Sequence, residues 1–279
     1  MNRICQIGKV SGTLQINNIM KQLLVSNTPT TQAFLVIAII GSILGFINYG
    51  VSLDTVGLSI LGYFLYVCLG IVVTFHRNLT HRSYQTHNII TKIGTFLGCM
   101  ANTGSSIVWT AIHIKHHLKS DKEGDPHSPW LTGWRVFLLK YPIDHKVVWR
   151  MRDIVSDPYH QFLHRYYNLL LVTYSLALYL IGGWYLMIFL HWMPVVIAAI
   201  MSNIVNYAGH KESWFGSYRT YNLSDHSCNN WVWAIPSWGE GWHNNHHRFP
   251  KNYTTQQKWW ELDISGLVIK LIKHDVKTQ

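Results

Sequence analysis

Acid is scarce in this sequence. Among 279 residues there are 13 Asp+Glu against 23 Lys+Arg, and charged residues make up 13% of the chain, about half of the ~25% usual in soluble domains. Charge this low, beside 13 Trp and 15 Tyr, excludes a disordered chain, which needs high charge and few aromatics. Cysteine is sparse too. Cys5, Cys68, Cys99 and Cys228 show no C-x-x-C spacing, so a disulfide scaffold, a zinc ribbon and an iron–sulfur cluster all lack ligands. The four read as reduced packing thiols. No Gly/Ser- or Pro-rich linker, repeat or low-complexity run divides the chain, which reads as one domain. A flavin or nicotinamide fingerprint is missing as well.

What is present is apolar. Ala33 to Leu53 and Val56 to Phe75 are uncharged runs separated by Asp54-Thr55, and Leu169 to Leu190 and Val195 to Ala208 are two more, separated by His191-Trp192-Met193-Pro194. The first three reach the ~20 residues a helix needs to cross the hydrocarbon, and the fourth is shorter. The pattern predicts an all-α integral membrane protein with four transmembrane helices in two hairpins. Basic residues test the topology, because cytoplasmic loops retain Lys and Arg. Residues 1–32, 76–168 and 209–279 hold three, twelve and eight of the 23, and the two outer turns hold none. The net charge of +10 thus marks sidedness and needs no nucleic-acid partner. Both termini and the central loop are expected on the cytoplasmic face, with residues 1–32 a polar leading segment and 261–279 a tail.

Histidine is in excess, with 17 copies. His76 and His81 follow the second run. His113-x-x-His116-His117 and His243-x-x-His246-His247 are two further clusters, and His210 follows the fourth run. Residues at i, i+3 and i+4 share one helix face, so each H-x-x-H-H can present three imidazoles to one point. Chance supplies about 0.06 such triplets in a chain of this composition. His76 and His81 are a weaker pair, since i and i+5 stand about 140° apart on an ideal α-helix. All nine share the predicted cytoplasmic address. His87, His145, His160, His164, His191 and His274 are read as interfacial polar side chains. Nine neutral imidazoles suit iron, zinc or copper and are enough for two ions. Redox-active iron fits best against a membrane, because lipid chains offer nothing for hydrolytic zinc to attack.

These motifs carry a resemblance. From about residue 33 to 260 the chain resembles membrane fatty-acid desaturases of the stearoyl-CoA or delta-9 type. It has their H-R-x-x-x-H box at His76–His81, their H-x-x-H-H box at His113–His117, Asp125-Pro126-His127, Asn206-x-x-x-His210, and the third box within Gly239–Pro250. The resemblance implies a cytoplasmic helical cap holding two iron ions on the nine histidines. Asn206 would approach one iron through water, and Asp125 and Glu240 would accept the outward N–H of ligating imidazoles. It implies dioxygen-dependent removal of two hydrogens from a saturated acyl chain, leaving a cis double bond at carbons 9–10. The acyl carrier would be CoA, a carrier protein or a glycerolipid, and a separate electron donor of ferredoxin or cytochrome b5 type would serve it.

Four finer expectations follow. Phe64 closes the acyl tunnel; 88–111 lies in the interface or re-enters shallowly; Trp231, Trp233, Trp238 and Trp242 support the third box; Leu267 to Ile272 forms one more surface helix. Three rivals stand against desaturation. A hydroxylase or ketolase of the same histidine-box superfamily would act on a lipid or carotenoid and add oxygen. A membrane haem carrier would place its histidines within the spans, and a metal transporter would need ionisable groups along them.

Overall fold

The structure, a computed structural model, describes residues 29–138 and 145–274. Most of the leading segment (1–28), the last residues of the tail and the His145 side chain lie outside the described residues. The chain is mostly helical. Among the described residues three helices are long and apolar enough to cross a membrane: α1 Pro29–Tyr49, α2 Leu53–Thr80 and Tyr167–Ala208.

α1 buries Ala38, Gly41, Ser42 and Gly45, while Ile40, Ile43 and Ile47 are more than half exposed. Small residues inside and large ones outside is the inverse of a soluble helix, and it is how a helix packs when lipid surrounds it. Trp192 fits against Gly41 and Ile188 against Gly45 so closely that a methyl group at either glycine would collide.

The first break falls earlier than expected. Asp54-Thr55 is helical, and the turn is at Gly50, which has φ +69°. Ser52 caps α2 by accepting from the Thr55 N–H, and the Thr55 hydroxyl accepts from the Ser52 N–H. Asp54 thereby sits in the first turn, where the helix dipole favours an acid. From Phe64 to Thr80 the helix winds more loosely, in π fashion.

α2 is followed by α3 (Asn88–Met100) and α4 (Ser106–Lys119). Residues 88–111 therefore fall in two helices, α3 and the first part of α4. α3 runs back along α2, Gly94 meeting Thr74 and Gly98 meeting Gly70 backbone to backbone. A Cβ at Gly70 would overlap the Gly98 backbone. Gly70→Ala is expected to cost about 1–3 kcal/mol, seen as a lower Tm with the metal-free protein in detergent; an unchanged Tm would contradict this packing.

The second expected hairpin also moves. His191 to Pro194 is not a turn: 184–208 is helical throughout, with Pro194 in its first α-helical turn behind the loosely wound Ile188–Trp192, where its missing N–H breaks little. The reversal is at Gly182 and Gly183, the latter at φ +64° and ψ −162°, a conformation natural only to glycine. His191 Nδ1 lies 2.9 Å from Ser175 Oγ. Sixteen residues of straight helix would separate them by about 24 Å, so arm 167–181 folds back onto arm 184–208. Between α4 and these arms lies the short helix α5, Pro158–Arg165. His191 is fully buried among Phe34, Tyr66 and Tyr174, and its Nε2 lies 3.1 Å from the Met100 carbonyl O.

The C-terminal part caps the helix ends. It contains a two-residue antiparallel pairing of Ser217–Tyr218 with Asn229–Asn230, α6 (His243–Arg248) and α7 (Ile264–Ile272). Trp242 is buried, donating to the Leu262 carbonyl O, and Trp238 stacks on Tyr63 and Phe64. Trp231 is exposed. α7 is half a surface helix. Ile269 packs against Cys68, Val73 and Tyr84 while Leu271 is exposed, so the division expected at residue 260 does not separate it from the core.

Candidate metal centre

The π winding of α2 alters what H-x-x-x-x-H means. The His81 N–H donates to the His76 carbonyl O at 3.0 Å, five residues back, so the two side chains stand one loose turn apart on one face. Their rings lie 4.9 Å apart. Contrary to expectation, α4 does not aim its triplet at one point: His113 and His117 face one group of imidazoles and His116 another, with Trp109 stacked on His113 one turn below. α6 presents the third. Between its histidines, Asn244 and Asn245 point into the cap: Asn244 Oδ1 accepts from the Thr220 and Tyr221 N–H groups, and Asn245 Nδ2 donates to Glu261 and the Thr255 carbonyl O. These two asparagines, which the sequence reading passed over, fix the box from behind.

The nine histidines gather in two groups. His76, His81, His113, His117 and His246 form one; His116, His210, His243 and His247 form the other; within each, ligand atoms lie within 4.8 Å of one another. Nε2 faces Nε2 throughout: His76 to His246 at 3.0 Å, His117 to His246 at 2.9 Å, His81 to His113 at 3.1 Å, His210 to His243 at 3.0 Å and His116 to His247 at 3.3 Å. Outward, four Nδ1 atoms meet carboxylates. His76 meets Glu240 at 2.6 Å, His116 meets Asp125 at 3.0 Å, His210 meets Asp121 at 2.8 Å and His247 meets Asp225 at 3.0 Å.

Asp125 and Glu240 were expected there. Asp121 and Asp225 were missed, although Asp121 stands four residues before Asp125 in the loop after the second box. A carboxylate fixes the proton on Nδ1 and leaves Nε2 a bare lone pair. At His116 and His247 two such lone pairs point at each other, an arrangement that repels unless a cation lies between. The donor set therefore fits metal binding, and four of the chain's 13 acids are spent on it.

Burial and the neighbouring imidazoles push His81, His113, His116, His117, His243 and His246 well below the usual histidine range. They stand neutral and ready to bind. Burial lifts the Asp125 carboxyl to about 6; against the same burial, the His210 hydrogen bond brings Asp121 down to about 2. Folded values below the unfolded ~6.5 mean stability that is present above that pH and lost as pH falls through it. The metal-free protein should lose helical signal steeply below about pH 6.5, and pH-dependent denaturation followed by circular dichroism checks this; a flat curve down to pH 4 contradicts buried neutral imidazoles.

Asn206 lines a cavity beside His243, together with His113, Glu240 and His127. The cavity continues along Tyr63, Val67, Ile71 and Val72 of α2 and Val205 of the arm opposite, with about 1040 Å³ including its open mouth. Phe64 is not part of it and packs on Trp238 at 5.4 Å; the neighbouring Tyr63 forms the end wall, its hydroxyl donating to the Pro236 carbonyl O. The remaining histidines are mostly structural. His160 and His164 bond Ser106 and Ser105 at the start of α4, and His87 meets His274 edge to face. His127 stacks on His116 at 4.1 Å.

Fold and site together define a helical membrane protein with buried, histidine-lined groups able to hold metal. A family model described as fatty acid desaturase matches residues 54–264, about three quarters of the chain. The chain belongs to the fatty acid desaturase family. It is 36% identical to the sn-1 stearoyl-lipid 9-desaturase of Anabaena variabilis over 241 residues, 84% of this chain and 86% of that one. It is 32% identical to an enzyme of the same description from Synechocystis sp., over 83% of this chain and 73% of that one. It is 30% identical to the sn-2 palmitoyl-lipid 9-desaturase of a Nostoc sp., over 80% and 79%.

Proposed function

We propose that the chain removes two hydrogens from carbons 9 and 10 of a saturated acyl chain carried on a membrane glycerolipid, leaving a cis double bond. The observation that carries this is one cavity bordered by both imidazole groups, through His113 and His243, and by the apolar face of α2. The names of the three relatives, all lipid 9-desaturases, support the glycerolipid over CoA or a carrier protein.

The first group would hold one iron through five histidines. The second would hold another through His116, His210, His243 and His247, with Asn206 completing it through water. Two irons so held supply the power to activate dioxygen against an unactivated C–H bond. The chain's own groups do the rest. Glu240, Asp125, Asp121 and Asp225 keep the Nε2 atoms of His76, His116, His210 and His247 aimed inward. Val67, Ile71, Val72 and Val205 exclude water and hold the acyl chain in one register, so that one pair of carbons meets the histidines. Tyr63 ends the cavity and limits the length beyond them.

Four crossings, with the fold-back at 182–183 as the second outer turn, agree with the basic residues: none falls in 33–75 or 169–208. The histidine groups and both termini then lie on the cytoplasmic side. The catalytic unit would run from about residue 33 to the end of α7.

Metal analysis of purified protein, with Mössbauer spectra of an iron-57-grown sample, tests the assignment. Two irons per chain are expected; zinc, or a single iron, overturns it. Tyr63→Ala is expected to shift the product profile toward longer chains and Phe64→Ala to leave it unchanged; the opposite pattern in lipid chromatography returns the end wall to Phe64.

A further inference from the structure

If the chain is the desaturase proposed above, each double bond consumes two electrons beyond those of the two C–H bonds: dioxygen, two substrate hydrogens, two electrons and two protons give two waters. A one-electron carrier must dock where the histidine groups come close to the surface.

Trp130 marks such a place. Its Nε1–H donates to the His210 carbonyl O at 2.6 Å, while the indole is 48% exposed. The ring stacks on exposed His226 at 4.3 Å, and the Lys211 ammonium lies over it at 4.5 Å. The link inward is double. Asp121 Oδ2 accepts both the His226 backbone N–H and the His210 Nδ1–H, each at 2.8 Å. An exposed aromatic pair and a metal-facing imidazole thus share one carboxylate.

The rim is basic. Lys119 and Lys122 flank Asp121 in the chain, Lys211 covers the indole, and Arg248 follows His247, whose Nδ1 is bonded to Asp225 beside His226. Glu123 and Glu212 are the acids among them.

We propose that Trp130 and His226 form the electron-entry port, and that the Lys119–Lys122–Lys211–Arg248 rim docks an acidic one-electron carrier protein. Each docking delivers one electron, the carrier being oxidised and the metal pair reduced by one. Two dockings serve one double bond. An aromatic centre with a charged rim is the ordinary anatomy of a transient interface, and rim charge acts mainly on encounter rate.

The test uses the full-length, iron-loaded protein in lipid nanodiscs, with an acidic plant-type [2Fe–2S] ferredoxin as carrier and reduced methyl viologen as a small reductant needing no docking site. Lys122→Glu and Lys211→Glu are each expected to raise the Kd for ferredoxin roughly tenfold and to flatten its salt dependence, with viologen-driven turnover unchanged. Trp130→Leu is expected to slow reduction of the metals by saturating ferredoxin about tenfold or more, with iron content retained. Wild-type Kd in both charge reversals overturns the port, as does quenching of Trp130 fluorescence by brominated lipid, which would make it a membrane anchor. Should Trp130→Leu lose iron, the two lysine variants decide alone. Failure of viologen to drive desaturation in the wild type refutes the proposed function instead, while the ferredoxin titration still decides the port.

Discussion

Replacing His246 with alanine is expected to lower iron from two to about one per chain and to cut desaturation about a hundredfold or more, since second-sphere losses alone cost 10–100-fold. His246 Nε2 lies within 3.0 Å of both His76 and His117, so its loss opens the first group at its centre. His210→Ala should do the same to the second group. The pair of variants matters because each group should lose its own metal and keep the other. Iron analysis and spectroscopy read this directly. Two irons and full activity in either variant would contradict the assignment.

The second large effect is at Arg77, which the sequence reading treated only as the second letter of a box. It is fully buried, donating to Asp263 at 2.7 Å, to Glu240 at 3.0 Å and to the Tyr253 carbonyl O at 2.9 Å. Glu240 in turn holds His76, and Asp263 caps α7 by accepting from the Gly266 N–H. One guanidinium therefore ties the end of α2, the third-box loop and the C-terminal helix. Burial would raise Glu240 and Asp263, but His76 and then Arg77 outweigh it at Glu240, and Arg77 outweighs it at Asp263; both stay below the usual carboxylate range. Arg77→Leu leaves buried Asp263 without a counter-charge and Glu240 with His76 alone, and is expected to cost about 3–5 kcal/mol. Arg77→Lys should recover part of it, because one ammonium cannot serve both carboxylates in Arg's fork. Thermal unfolding with iron content checks this; an Arg77→Leu protein with wild-type Tm and iron would remove Arg77 from the argument.

How much of this was legible depends on which forces act locally. The histidine boxes were readable because i, i+3 and i+4 spacing is a property of one helix. The hairpin turns were misplaced for an equally local reason. Polar Asp54 and Pro194 look like breaks, yet a Ser52/Thr55 capping box and a loosely wound turn accommodate them, and the helices break instead at Gly50 and Gly183, both at positive φ. The H-x-x-x-x-H pair was undervalued because α-helical geometry was assumed where α2 winds as a π-helix. Asp121, Asp225 and Arg77 were not legible, since their roles exist only once segments up to 186 residues apart meet. Phe64 and Tyr63 differ by one position, and one position on a helix decides which side of it a ring occupies.

The most direct test of the central claim is the fatty-acid profile, with double-bond localisation by mass spectrometry, of a desaturase-free host expressing the chain beside its His246→Ala variant. The account predicts acyl lipids lighter by two hydrogens, with a cis bond between carbons 9 and 10, in the wild type and their loss in the variant. Oxygenated acyl chains or carotenoids, or unsaturation that persists in the variant, would contradict it.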